Sequence, residues 1–116
     1  MPATDCVVVV GGLGLRCRID GPAGAPWLVF SNSLMTDLTL WDAQVLALAS
    51  RFRILRYDQR GHGGSAVPPA DCTFDALADD LAGLLDHFGV TAATIVGVSM
   101  GGVTALALAA RHPGHV

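Results

Sequence analysis

The sequence predicts an α/β fold: a mainly parallel sheet entered through an N-terminal antiparallel hairpin, with helices on both faces. Three observations carry that expectation. Short apolar runs alternate with segments of helical period along most of the chain. Two of those runs, "WLVFS" and "ATIVGV", are apolar without alternation, which marks strands buried on both faces. The composition agrees, because 52% of the 116 residues are hydrophobic and only 15% are charged, enough to give one small domain a core.

"DCVVVV" (Asp5–Val10) reads as a strand and Gly11-Gly12 as a hairpin turn. "LGLRCRID" (Leu13–Asp20) alternates apolar and polar residues, as a half-exposed antiparallel strand does. "GPAGAP" (Gly21–Pro26) is a loop, and "WLVFS" (Trp27–Ser31) a buried strand. In "LTLWDAQVLALASR", Trp41, Val45, Leu46, Leu48 and Ala49 recur at helical spacing. "FRILRYD" (Phe52–Asp58) is a further strand, followed by the glycine- and proline-rich loop "QRGHGGSAVPPADC".

"TFDALADDLAGLLDHFG" places Leu77, Leu81, Leu84, Leu85 and Phe88 on one helical face, with Asp75 in the first turn and Gly89 as the stop. "ATIVGV" (Ala93–Val98) is the last strand, buried on both faces. The helix after Ser99 is apolar nearly all round, so coverage on most sides is expected. Internal repeats, low-complexity tracts and domain boundaries are absent from the sequence, so residues 1–116 are read as part of a single domain.

Charge narrows the function. The net charge of -3 comes from aspartate and arginine alone. The seven arginines are scattered, with no basic stripe or interleaved aromatics, so no nucleic-acid partner is expected. No run approaches the roughly 18 apolar residues of a spanning helix, and "MPATDCVVVVGG" lacks the basic region of a signal peptide. Cys6, Cys17 and Cys72 form no Cys-x-x-Cys pair and read as buried or idle thiols in a reducing cytoplasm. No metal, cofactor or membrane partner is expected.

One stretch carries chemistry. In "ATIVGVSMGGVTALALAAR" a serine stands between two glycines at a strand–helix junction. A tight turn there pushes Ser99 into a strained backbone region, and glycine at positions 97 and 101 removes the clashes a Cβ would cause. The hydroxyl then stands clear of the sheet edge, while the helix starting near Met100 aims free N–H groups at the same point. That arrangement suits a negatively charged tetrahedral intermediate. The alternative is a glycine-rich turn with a capping serine and no chemistry.

The order of elements together with "GVSMGG" resembles an α/β-hydrolase, with Ser99 as the nucleophile. "ILRYDQRGHGGS" (Ile54–Ser65) is similar to that family's Asp-x-Arg-Gly-His-Gly-x-Ser segment. "LVFSNSLMTDLTLWDAQV" (Leu28–Val45) stands where the family carries its oxyanion loop. Asn32-Ser33 in place of His-Gly, followed by Leu34 and "TDLTLW", is similar to the 3-oxoadipate enol-lactonases of aromatic catabolism, in the β-ketoadipate pathway. The resemblance implies a cofactor-free serine hydrolase of a carboxylic ester or lactone, with the backbone N–H groups of Met100 and Leu34 as the oxyanion hole. Asn32, Ser33, Met35 and Trp41 are then substrate-pocket candidates. Met35 stands where lactonase-like sequences often have glycine, so substrate fit at the pocket mouth is expected to differ. General esterases, haloperoxidase-like enzymes and carbon–carbon bond hydrolases share these motifs.

Other residues read as structural. The resemblance implies that His62 fixes its own loop by hydrogen bonds. Asp58 and Arg60 are expected to form a local pair or turn contacts, Trp41 to act as a core aromatic, and Asp79 and Asp80 to lie on a solvated helix face. His87, at the end of its helix, is given no role.

A serine nucleophile needs a base, and that base an orienting acid. The 17 residues after Ser99 hold no acidic residue, and His112 and His115 follow the helix at its far end. A helix of about 11 residues carries the chain roughly 16 Å away. The chain therefore reads as the N-terminal half of an α/β-hydrolase domain, with the acid and the catalytic histidine elsewhere. Its last strand and helix would expose several hundred Å2 of apolar surface, a cost on the order of 10 kcal/mol. The C-terminal half of the domain, or another copy of the chain, is expected to cover that edge. The reading from a different class is a non-catalytic subunit or fragment that becomes active only through a partner.

Overall fold

A computed structural model describes residues 3–68 and 72–116. Residues 69–71 of the expected glycine- and proline-rich loop, and the first two residues, lie outside the described residues. Strands β1 (Thr4–Val10) and β2 (Leu13–Asp20) form the expected hairpin across Gly11 and Gly12, whose φ values of 56° and 85° suit a two-residue turn. Then follow β3 (Trp27–Ser31), a 3-10 turn (Leu38–Trp41), α1 (Asp42–Leu48), β4 (Arg53–Tyr57), α2 (Phe74–His87), β5 (Thr94–Gly97) and α3 (Met100–Arg111). A short 3-10 turn, Pro113–His115, closes the chain.

The sheet order is β1-β2-β4-β3-β5. β4, β3 and β5 run parallel, while β2 pairs antiparallel with both β1 and β4. The sheet is thus mixed, with the parallel part confined to three strands. Because side chains alternate along each strand, β3 and β4 serve two cores. Leu28, Phe30 and Ile54 meet Trp41 and Val45 beside α1. Val29, Leu55 and Tyr57 meet Leu81, Leu84 and Leu85 of α2 on the other face. Helices on both faces hold the parallel strands between them, as anticipated.

Several expectations need correction. Leu46 is 88% exposed, because five residues past Trp41 a helix has turned well away from the Trp41–Val45 face. β5 is an edge strand and mostly exposed, so its apolar run is not buried within these residues, in keeping with the uncovered edge expected of them. α3 buries only Gly101, Thr104 and Leu108, leaving Val103 and Leu106 in the open. Asp80 is not on a solvated face: it is buried and receives two 2.7 Å hydrogen bonds from Arg60. Asp79 is exposed but engaged, accepting from Arg111 at 3.0 and 2.9 Å and bonded to His112 at 2.7 Å.

Asp58 and Arg60 make the expected turn contacts, Asp58 accepting from the Gly64 N–H and the Arg60 carbonyl lying 3.1 Å from His62 Nδ1, but their charged groups pair with distant partners instead of each other. Arg60 reaches α2, and Asp58 pairs with Arg16 of β2 at 3.3 Å. The three thiols are free. Cys6 and Cys17 face one another across β1 and β2, and burial pushes the Cys17 thiol up to about 12. Among the described residues no helix is long and apolar enough to cross a membrane, and no three His, Cys or Asp side chains are grouped to hold a metal.

Candidate active site

β5 delivers the chain into a sharp bend. The Val98 N–H donates to the Ser31 carbonyl, Ser99 takes φ 52° and ψ −116°, and α3 starts at the next residue. Ser99 is exposed. A capping serine would have an extended backbone and accept a bond from the first turn of the helix. Ser99 has neither the extended backbone nor a side-chain capping bond. The left-handed backbone of a non-glycine residue costs about 1–2 kcal/mol and persists only where its surroundings enforce it.

The two glycines show what does the enforcing. A Cβ on Gly97 would run into the Gly101 carbonyl and stand 2.6 Å from the Gly102 nitrogen. One on Gly101 would overlap the Ser31 carbonyl and stand 2.6 Å from the Asn32 carbonyl oxygen. The first turn of α3 therefore packs backbone to backbone against the end of β3. This contact sets the Ser99 bend beside the loop that begins at Asn32.

That loop is built on a buried polar frame. The Asn32 amide donates to the Tyr57 carbonyl at 2.7 Å and accepts from the Trp41 indole N–H at 2.7 Å. Trp41 stacks on Phe30 with ring centroids 4.5 Å apart. Asn32 and Trp41 are thus committed beneath the loop, and as pocket-lining side chains they are corrected to scaffold. The Asp58 carboxylate, fully buried, accepts from the Leu38 N–H at 2.7 Å, the Gly64 N–H at 2.8 Å and Arg16. It ties the loop after β3 to the loop after β4. The Ser65 hydroxyl donates to the Asp58 carbonyl and accepts from the Arg16 N–H. Within this second loop His62 Nδ1 lies 3.1 Å from the Arg60 carbonyl, and the His62 N–H donates to the Gln59 carbonyl. His62 thus bonds within its own loop.

At the rim, Leu34 and Met35 are exposed and Ser33 is half-buried. Met35 adopts φ 64°. Met35 and Ser99 are the non-glycine residues with positive φ among the described residues. Each adjoins one of the two expected oxyanion donors, Leu34 and Met100. Neither of those N–H groups has an acceptor among the described residues. An open cleft of about 500 Å3 lies on the Met35 side, lined by Thr36, Asp37, Leu40 and His62 among others, and it does not include Ser99.

No histidine bonds to Ser99 among the described residues. His112 and His115 sit beyond the far end of α3, bonded to Asp79 and to Asp86 at 2.8 Å. Sequence reasoning found the bend, its glycines and the loop. It missed the Asp58–Arg16–Ser65 frame and gave no part to Thr36 or Gln59, which both donate to the Ser33 carbonyl. Only folding brings those partners together.

Residues 26–116 match the model of the alpha/beta hydrolase fold family. A 3-oxoadipate enol-lactonase of Acinetobacter baylyi is 46% identical over 95 residues, covering 82% of this chain and 35% of that protein. A bifunctional esterase/perhydrolase of Acinetobacter calcoaceticus is 37% identical over 108 residues, 92% of this chain and 39% of that protein. The crystal structure of the enol-lactonase from Burkholderia xenovorans superposes with a TM-score of 0.92 at 48% identity, covering 96% of this chain and 44% of that one. The chain thus spans well under half the length of the relatives it matches.

Proposed function

The chain belongs to the alpha/beta hydrolase fold family, and on that footing we propose that it supplies the nucleophile and oxyanion donors of a serine hydrolase for carboxylic esters or lactones. Ser99 attacks the carbonyl carbon, and the N–H groups of Met100 and Leu34 receive the oxygen as it becomes negative. The base takes the Ser99 proton, the ester or lactone C–O bond breaks to expel the alcohol or enolate oxygen, and water then cleaves the acyl group from Ser99. One donor of this kind is worth about 3 kcal/mol of transition-state stabilisation. The observation that carries the reading is an exposed serine held left-handed by close-packed glycines, with its hydroxyl committed to no cap.

We further propose 3-oxoadipate enol-lactone as the substrate, in the β-ketoadipate pathway, supported by the likeness to the enol-lactonases. An enol lactone suits this machinery because its leaving group is a delocalised enolate that needs little protonation. Residues 1–116 then form the N-terminal part of a single hydrolase domain. The acid and histidine of the triad lie outside these residues, and the C-terminal half or another copy covers the β5–α3 edge. In the enzyme complete with its base, Ser99→Ala is expected to cut the loss of enol-lactone absorbance by at least about a thousandfold. Undiminished turnover would overturn the proposal. A serine-directed phosphonate tests the dependence on a partner: labelling of Ser99 is expected only once the second polypeptide is added, and labelling of the isolated chain would refute it.

One observation favours a second reading, an esterase for neutral esters. The cleft beside Met35 is lined by Asp37 and by no arginine, and hydrogen bonds to Thr39 hold Asp37 ionised below the usual carboxylate range. Six of the seven arginines bond elsewhere, Arg53 to the Gly21 carbonyl and the others to aspartates. Among the described residues, this cleft offers a substrate carboxylate no arginine partner. Faster turnover of neutral than of carboxylate-bearing esters of equal length would select this reading over the first.

A further inference from the structure

Ser33 and Leu34 are joined by a trans peptide, since no cis bond occurs among the described residues. In a trans amide the C=O and the N–H point in opposite directions, so whatever holds the carbonyl also aims the N–H. Two side chains hold the Ser33 carbonyl: the Thr36 hydroxyl donates at 2.7 Å and the Gln59 amide Nε2 at 3.2 Å. One comes from the same loop and the other from the loop after β4. Met35, left-handed at φ 64°, lies between Leu34 and Thr36 in the turn that brings the Thr36 hydroxyl onto Ser33.

Gln59 is the more telling of the two. It is 2% exposed, and its Oε1 has no hydrogen-bond partner among the described residues. A buried acceptor without a donor is a standing cost that an apolar side chain of similar size would avoid. The glutamine is therefore explained by the donation from Nε2 rather than by packing.

We infer that Thr36 and Gln59 are positioning residues of the oxyanion hole, clamping the Ser33 carbonyl so that the Leu34 N–H is aimed before the substrate arrives. This rests on the reading of Leu34 as an oxyanion donor. Two donors on the carbonyl also polarise the amide, which strengthens its N–H as a donor. A donor fixed in advance costs no reorganisation at the moment of reaction, and it acts on the transition state more than on the bound substrate.

The test uses the enzyme complete with its base, p-nitrophenyl butyrate as the ester and butaneboronic acid as the tetrahedral mimic. Thr36→Val and Gln59→Leu are each expected to lower kcat about tenfold, with KM within about twofold. Affinity for the boronic acid falls by the same factor as kcat, and Thr36→Ser, which keeps the hydroxyl, recovers both. The urea midpoint of Gln59→Leu stays level or rises, because the orphaned acceptor is gone. An unchanged kcat, or a loss confined to KM or to the urea midpoint, would overturn the inference. Ser99→Ala separates the two layers: turnover surviving in that variant removes the underlying reading, whereas its loss with unaltered Thr36→Val and Gln59→Leu removes only the clamp.

Discussion

Replacing Gly101 by alanine tests the contact that forms the bend. The added methyl would overlap the Ser31 carbonyl and press on that of Asn32, and both obstacles are backbone, which no rotamer change relieves. α3 would have to lift from the end of β3, loosening the buried Thr104 and Leu108. Overpacking of this kind costs about 1–3 kcal/mol, offset only in part by the better helix propensity of alanine. Gly102 is the built-in control. A Cβ there would meet nothing closer than the Gly97 carbonyl oxygen at 3.5 Å, an ordinary contact. Alanine at position 102 is thus expected to stabilise by about 0.5–1 kcal/mol. The helix-propensity gain is common to both variants, so they should differ by the overpacking cost of about 1–3 kcal/mol, a urea-midpoint separation of about 1–3 M for a slope near 1 kcal/mol/M. In the enzyme complete with the half that covers β5 and α3, unfolding can be followed by tryptophan fluorescence, to which Trp41, buried against Phe30, contributes. Equal midpoints for the two variants would refute the idea that the approach of α3 to Ser31 sets the bend.

Three further outcomes are expected. Met35→Gly relieves a left-handed side chain that is 85% exposed, so the unfolding free energy should rise by no more than about 1 kcal/mol after the extra flexibility of the unfolded chain, read as a higher urea midpoint; a lower midpoint would show that the thioether packs. Bonds from Arg111 and then His112 hold Asp79 at about 2, below its ordinary 3.8. The stability from this depressed pKa is present above pH 4 and lost as pH falls toward 2, and since the pair is exposed it is worth under about 1 kcal/mol. Asp79→Asn should flatten that part of the pH–stability profile, and an unaltered profile would contradict the assignment. The isolated 116-residue chain should self-associate through Val103, Leu106 and the β5 edge, and Leu106→Asp should reduce the associated fraction in sedimentation; a cooperatively unfolding wild-type monomer would show that this face needs no cover.

What local chemistry dictates was legible along the chain. Gly11-Gly12 defined the hairpin, the spacing of Leu77, Leu81, Leu84 and Leu85 defined α2, and the glycines around Ser99 marked a bend where a β-strand meets a helix. These signals lie within a few residues of one another, where steric rules act directly. The open faces of β5 and α3 were already legible, because their apolar runs demand cover that these residues do not supply. Tertiary structure decided everything that depends on distant partners. It buried Asp80 against Arg60, turned Asn32 and Trp41 inward onto Tyr57 and Phe30, and made Asp58 the tie between two loops. The physical reason is common to all of these: a side chain's residue type fixes which partner it needs, while only the folded path of the backbone fixes which partner it finds.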